Sequence, residues 1–423
     1  MTTSTGTSTE PPGTARRFGA NHRWVVLTIG VAAQASFSAA ISGLPVAGPS
    51  LRSDYGLSNT QLGVAVGAIY LGIALSEILW GIWTDRFGER RILLVGLVST
   101  ALMLSLIAVA LVPTDSFVPS IGLLALSFLL VGVFGGSING SSGRAVMTWF
   151  DEGQRGLAMS IRQTAMPAGG AIGIAVIPWL ATSYGFRAVF ITLAVLCFAA
   201  AAAAWRWLHE PPNAVRTTKG NPATGESPLR RWDIWRLALA SALLTVPQFG
   251  ILTFSAVFLH DEKNASVLTT VVALTLVQVG GGAARIWSGR FTDKRGNRRQ
   301  MIKILGALAA VMVLAAALLV NGPTVAVVVA LVLGGIFGNA WHGVAYTEIA
   351  SMAGVSRAGA ALGLENTTVF AMGFITPLLI PLLLGWSSWT VVWLVVAAAS
   401  ALAVPLSPRA LQSVRKNKVG AQQ

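Results

Sequence analysis

The stretch Gly81-Ile-Trp-Thr-Asp85-Arg86-Phe-Gly88-Glu-Arg90-Arg91 returns 208 residues later as Gly289-Arg-Phe-Thr-Asp293-Lys294-Arg-Gly296-Asn-Arg298-Arg299. Six of the eleven positions hold the same residue and a seventh keeps its charge. Each copy joins two apolar runs long enough to cross a bilayer. A charged, glycine-punctuated connection used twice at half-chain spacing points to duplicated membrane halves rather than to one soluble domain.

Composition agrees with that reading. The chain has 423 residues, of which 54% are hydrophobic and only 11% charged, and its mean hydropathy is +0.68. Soluble domains carry about a quarter charged residues, so this chain lacks the means to cover a water-facing surface. Apolar runs fall at 24–49, 60–84, 91–113, 118–147, 156–183 and 186–208, and again at 233–259, 266–291, 300–320, 323–350, 359–384 and 386–407. Each reaches the roughly 20 residues that span hydrocarbon as a helix. The expected fold is an all-α membrane protein with twelve spans.

The net charge is +14, which in a soluble protein would suggest nucleic acid. Here the basic residues gather in alternate connections, which is the positive-inside pattern. The N-terminal tail (Arg16, Arg17), the 2–3 loop, the linker (Arg216, Lys219, Arg230, Arg231), the 8–9 loop and the C-tail (Arg409, Arg415, Lys416, Lys418) share one face. Both termini are expected in the cytoplasm, in a multi-pass cell-membrane protein that contacts anionic lipid and no nucleic acid. The division expected is a tail at 1–23, a six-span half at 24–208, a Pro- and Gly-rich linker at 209–232, a second half at 233–407 and a tail at 408–423. Cys197 is the single cysteine, so no disulfide or Cys-based metal framework is available.

The repeat extends past the loops. Val133-Phe134-Gly135 with Gly140 matches Ile336-Phe337-Gly338 with Gly343, and Gly156 and Ala158 match Gly359 and Ala361, all at an offset of 203. With these motifs, the chain resembles the major facilitator superfamily. The loop pattern of that family is matched twice, at Gly81–Arg91 and Gly289–Arg299. The run Asp54-Tyr-Gly-Leu-Ser-Asn-Thr-Gln61-Leu-Gly63 and the segment Trp149-Phe150 with Arg155-Gly156-Leu-Ala158 are similar to its approaches to spans 2 and 5. The resemblance covers residues 24–407. It implies two pseudo-symmetric six-helix bundles around a central site that opens alternately to either side. Spans 1, 4, 7 and 10 would line the cavity, and 2, 5, 8 and 11 would meet between the halves. Span 5 departs from the Gly-Pro-x-x-Gly-Gly motif of the family's drug antiporters, reading Ala165-Met166-Pro167-Ala168-Gly169-Gly170.

Three groups of residues could carry chemistry. In the loops, Asp85 and Asp293 can accept from N–H groups at a neighbouring helix start. With Gly81, Arg86, Gly88, Arg90, Arg91, Gly289, Gly296 and Arg298 they are expected to form a cytoplasmic gate; topology signalling and lipid contact are the plainer role. Charges within spans form the second group, since each is unfavourable in hydrocarbon unless paired or hydrated. Glu77 and Arg285 share one repeat position, as do Arg162 and Glu365. The resemblance implies that Glu77 faces Glu365 and that Arg162 faces Arg285, giving a proton site and a carboxylate site. Pairing within each half, with Arg144 beside Asp85 or Glu77, is the structural alternative. Third, Gln34, Phe37, Asn139, Gln248, Trp341 and His342 lie near mid-membrane on the cavity spans and suit a small ligand, or else serve as helix-packing contacts.

No HExxH, Walker A loop, Cys/His cluster or Ser/His/Asp set is present, so no enzyme, cofactor or metal is expected and the driving energy must come from a gradient. The function expected is proton-coupled uptake of a small organic anion by a monomeric transporter. Proton-coupled efflux of an amphipathic compound, with Phe37, Phe249 and Trp341 as its pocket, is the alternative. A ligand sensor without transport is disfavoured by the absence of any signalling module.

Overall fold

The computed structural model describes residues 19, 21–209 and 226–409. Most of the two tails and of the linker therefore lie outside the described residues. With no water in hydrocarbon to satisfy backbone groups, a span must bond internally, and every described span is a helix. Span 1 is His22–Val46, span 2 Asn59–Phe87, span 3 Glu89–Ala110 and span 4 Ile121–Trp149. One 56-residue helix, Glu152–Trp207, contains spans 5 and 6, divided at Gly185 (φ 75°, ψ 173°). Those angles belong to a region that glycine alone enters without strain, so the chain reverses there with no loop. Span 7 is Trp232–Asp261, span 8 Val267–Arg295, span 9 Arg298–Leu318, span 11 Ala358–Leu384 and span 12 Trp389–Leu406. Span 10 is interrupted at Trp341, between Thr324–Ala340 and His342–Ala353. Eleven described helices are long and apolar enough to cross a membrane, and the one broken at Gly185 accounts for two crossings.

Local signals set the helix starts. Ser58 and Gln61 form a capping box at span 2: Ser58 Oγ accepts from Gln61 N (3.2 Å) and Gln61 Oε1 from Ser58 N (2.8 Å). Ser120 and Ser266 cap spans 4 and 8 by the simpler one-way bond, accepting from Leu123 N (3.3 Å) and Thr269 N (3.2 Å).

Core packing falls into three clusters. One fills the first half (Ala33, Phe37, Leu97, Phe128, Phe190) and another the second (Ile251, Phe258, Val313, Val392, Trp393). The third crosses between them, joining Leu27, Val146, Met147, Phe150 and Met159 to Val344, Ala345, Ala361 and Leu362. These residues lie toward the face that carries the duplicated loop, hereafter the loop face. The halves are thus sealed there by buried apolar surface, in two pseudo-symmetric six-helix bundles.

Candidate transport site and loop-face latch

The loop-face seal is built twice on the same plan. Spans 2 and 11 cross at Gly81 and Gly359, and spans 8 and 5 cross at Gly289 and Gly156. A Cβ added at Gly81 would meet Gly359 O at 2.3 Å, and one added at Gly289 would meet Gly156 O at 2.3 Å. Only glycine allows that approach, and the approach brings each loop aspartate onto the partner helix. Asp85 Oδ1 and Oδ2 accept from the N–H groups of Gly359 and Ala360, both at 2.8 Å. Asp293 accepts from Gly156 (2.9 Å) and Leu157 (2.8 Å). For span 11 these donors lie in the first turn, where N–H groups have no partner within the helix and the dipole favours an anion. On span 5 the contact sits one turn further in.

The basic residues around the two aspartates differ. Arg144 of span 4 lies 3.2 Å from Asp85 and bonds Glu89. Arg298 lies 3.3 Å from Asp293 and reaches across the halves to Glu152 at 2.7 Å. Arg299 pairs with Glu348 at 2.5 Å within its own half. The remaining basic residues of the first loop do not join the contact. Arg86 lies over the Phe87 ring, Arg90 donates to Trp205 O (2.7 Å), and Arg91 is exposed. The position beside Asp85 is taken instead by Arg144, which projects from span 4 into the crossing.

Asp293→Asn removes the charge that faces two N–H groups and Arg298. The expected loss is about 1–2 kcal/mol of the loop-closed state, and thus about a 5- to 30-fold rise in opening on this face. Maleimide labelling of a Leu362→Cys reporter checks this, since Leu362 is 1% exposed against span 4 and the native Cys197 is buried.

Above the seal, one chain of side-chain hydrogen bonds crosses the molecule. Arg162 Nη2 donates to Gln34 Oε1 (3.2 Å), and Gln34 Nε2 donates to Asn139 Oδ1 (2.6 Å). Asn139 Nδ2 donates to Glu77 Oε1, and Asn366 Nδ2 to Glu77 Oε2 (3.3 Å). Tyr346 Oη closes the run by donating to Asn366 Oδ1 (2.6 Å). Arg162 also holds Asn139 O (2.5 Å) and Ser142 Oγ (2.9 Å). The second half has a smaller counterpart. Arg285 donates to Gln163 O (2.6 Å), Asn339 O (3.1 Å) and Asn339 Oδ1 (3.3 Å), and its Nη2 lies 3.3 Å from His342 Nδ1. Glu365 Oε1 accepts from Ser241 (2.8 Å), whereas its Oε2 is buried with no hydrogen-bond partner.

A cavity of ≈180 Å³ lies on this layer. Asn139, Gln163, Arg285, Asn339, His342, Tyr346 and Asn366 line it on one side, and Ser38, Ile41, Tyr70, Gln248, Phe249 and Phe370 on the other. Ser38 and Ile41 follow Gln34 in span 1 and Tyr70 precedes Glu77 in span 2, which places the cavity away from the loop face. The volume is below the ~300–1,000 Å³ of pockets for drug-sized ligands, so it suits a small solute.

The structure therefore brings Gln34, Glu77, Asn139 and Arg162 into one network and places Asn139, Gln248, Arg285 and His342 at the cavity. It does not bring Phe37 or Trp341 to the cavity. Phe37 is wholly buried in the first half with its ring against Gly135, and Trp341 is wholly buried and stacked on His342 at 3.9 Å. The facing pairs differ from expectation as well. Glu77 is met by Asn139 and Asn366 instead of Glu365, and Arg285 by the Gln163 carbonyl instead of Arg162. No ion pair among the described residues joins any two of the four charges. Gln163, Asn339, Tyr346 and Asn366 were not singled out from the sequence. A signal existed for two of them: Gln163 and Asn366 share a repeat position, at offset 203, next to Arg162 and Glu365.

Known proteins agree with this architecture. The family model described as Major Facilitator Superfamily matches residues 30–338 and 274–421. An uncharacterized MFS-type transporter of Mycobacterium tuberculosis is 32% identical over 92% of this chain and 86% of its own. A hexuronate transporter of Bacillus subtilis is 25% identical over 60% of this chain and 62% of its own. Among solved structures, the proton:xylose symporter XylE bound to 6-bromo-6-deoxy-D-glucose superposes with a TM-score of 0.73 at 15% identity, over 92% of this chain and 97% of that one. Twofold glycine crossings, a pair of aspartates bonded to the partner helices and a polar cavity between the bundles thus accompany a match along nearly the whole chain, which belongs to the major facilitator superfamily of membrane transporters and is not an enzyme.

Proposed function

We propose that this transporter takes up a small carboxylate together with protons, as a monomer whose loop face is cytoplasmic. The observation that carries the reading is Arg285. It is 3% exposed, lines the cavity, and bonds only neutral acceptors. A buried guanidinium with no carboxylate partner is an anion site in waiting, because a charge-assisted bidentate bond is roughly twice as strong as a neutral one. Glu77 and Glu365 are the proton-linked groups of this reading, and the free Oε2 of Glu365 leaves room for a proton without loss of a bond. Hexuronates are carboxylates, and a proton symporter shares the fold; both support the direction of the reading. The efflux alternative loses Phe37 and Trp341 from its aromatic pocket and keeps Phe249.

Uptake of a panel of labelled carboxylates into proteoliposomes under an inward proton gradient tests the reading. Arg285→Gln is expected to reduce uptake at least tenfold, with the loss appearing in KM as well as in rate. Carboxylate uptake undiminished in Arg285→Gln, or no carboxylate carried in either gradient direction, would overturn it.

A further inference from the structure

Two mid-membrane hydrogen bonds join the halves at symmetry-related places. Asn366 of span 11 donates to Glu77 of span 2, and Arg285 of span 8 donates to the Gln163 carbonyl of span 5. Glu77 and Arg285 stand 208 apart, and Gln163 and Asn366 stand 203 apart, so each bond joins the same two repeat positions. What differs is charge. One clasp holds an acid, the other a base. Both lie between the cavity and the glycine crossings, so both must part before the loop face can open.

We propose that these two bonds are a double clasp that enforces coupling, with Asn366 the positioning residue that reads the charge of Glu77 and ties it to the cavity. This rests on the carboxylate reading above for the identity of the substrate. A carboxylate entering the cavity replaces the neutral Gln163 carbonyl as the acceptor for Arg285 and frees span 8 from span 5. A proton on Glu77 turns one oxygen from acceptor to donor, which opposes the Asn366 amide and leaves the neutral bond from Thr367 Oγ1 to Ala74 O (3.1 Å) as the remaining polar tie between spans 11 and 2 at this level. Either event alone leaves the other clasp closed. Only the two together release the loop face, and neither solute leaks alone.

The surroundings of Glu77 leave room for this role. Span 4 presents Asn139 to it, with Arg144 five residues nearer the loop face and committed to Asp85 and Glu89. Span 11 presents Asn366, while Glu365 turns to Ser241 of span 7. Span 1 presents Gln34 and span 5 Arg162, reaching Glu77 through Asn139. Tyr346 of span 10 is one bond further, through Asn366, and is the cavity-lining end of the run. A change of charge on Glu77 is therefore felt at the cavity wall through a single carboxamide.

The readout is the ratio of proton-driven accumulation to exchange at equal pH, measured in one preparation of proteoliposomes. Asn366→Leu is expected to lower that ratio at least tenfold, because substrate alone then suffices to open the loop face. Glu77→Gln, which keeps the size of the side chain, is expected to do the same and decides the matter should Asn366→Leu fail to fold. A ratio equal to wild type in a folded variant overturns the proposal. Labelling of Leu362→Cys gives a second readout that needs no substrate: in an Arg285→Gln background, where the other clasp is already open, adding Asn366→Leu or Glu77→Gln should speed it at least tenfold over Arg285→Gln alone, and an unchanged rate overturns the clasp. Absence of carboxylate transport by the wild type would sink the substrate reading, and the labelling rates would still decide the clasp.

Discussion

Gly81→Val is expected to reduce transport about a hundredfold while the protein still inserts and folds, and Gly289→Val to do the same. The reason lies in which atoms stand in the way. The Cβ of either variant meets a carbonyl oxygen of the partner helix at 2.3 Å, well inside contact distance. Backbone does not rotate aside as a side chain can, so the two helices must separate by an ångström or more. That separation also pulls the loop aspartate from its N–H pair. Overpacking of this kind costs ~1–3 kcal/mol, and ~3 kcal/mol applied to one of two conformations shifts their ratio roughly a hundredfold. The penalty falls on the loop-closed state alone, because the crossing exists only there. The protein should accumulate in the opposite conformation, with Leu362→Cys labelled rapidly and uptake lost. Lost uptake with labelling as slow as wild type would refute the account. Gly359→Val is a useful companion, since its Cβ would lie 2.5 Å from Gly81 O and 2.7 Å from the Asp85 carboxylate.

The contact of each loop aspartate with backbone N–H groups of a neighbouring helix was readable in advance, because a duplicated loop fixes its own register and an aspartate at a helix start has few other uses. The fold was readable for a similar reason: twelve apolar runs and two loop copies admit few topologies. The rotation of each helix was not readable. In a span that is apolar all round, hydropathy carries no period that separates a cavity face from a packed one. Phe37 and Gln34 are three residues apart on span 1 and near one another on the helix surface, yet one packs on Gly135 and the other bonds Asn139. Trp341 and His342 are neighbours whose rings stack, yet only His342 lines the cavity. Charge was readable as a rarity within spans but not as a partnership. The register correctly set Glu77 against Arg285 and Arg162 against Glu365 across the repeat. That each would be satisfied by carboxamides and carbonyls rather than by one another depends on approaches of a few ångströms, which the glycine crossings decide.

Arg162→Met is expected to destabilise the first half by about 3 kcal/mol, through the loss of a buried charge from a network that contains its opposite. The side chain is 1% exposed and ties span 5 to spans 1 and 4 through Gln34, Asn139 and Ser142. Methionine fills much of the volume, so little of the effect would come from a cavity. Removal leaves the Gln34 oxygen without its donor, at about 1 kcal/mol or more, whereas the Asn139 carbonyl keeps Ser142 Oγ (3.4 Å). It also leaves Glu77, wholly buried, without the nearest positive charge, and stranding one member of a buried charged set costs about 3–5 kcal/mol when the pair is in contact. Here two amides intervene, so the lower end applies. In detergent the apparent Tm should fall by roughly 5–10 °C. The decisive comparison is the double variant Arg162→Met with Glu77→Gln. If the guanidinium balances the carboxylate through Gln34 and Asn139, neutralising Glu77 should restore more than half of the lost Tm, although the two residues share no hydrogen bond. If Arg162 is only a strut between helices, the second substitution should add to the loss. Restoration would place the charge balance of the site in the amide chain itself, where a change at one end is carried to the other by the hydrogen bonds between them.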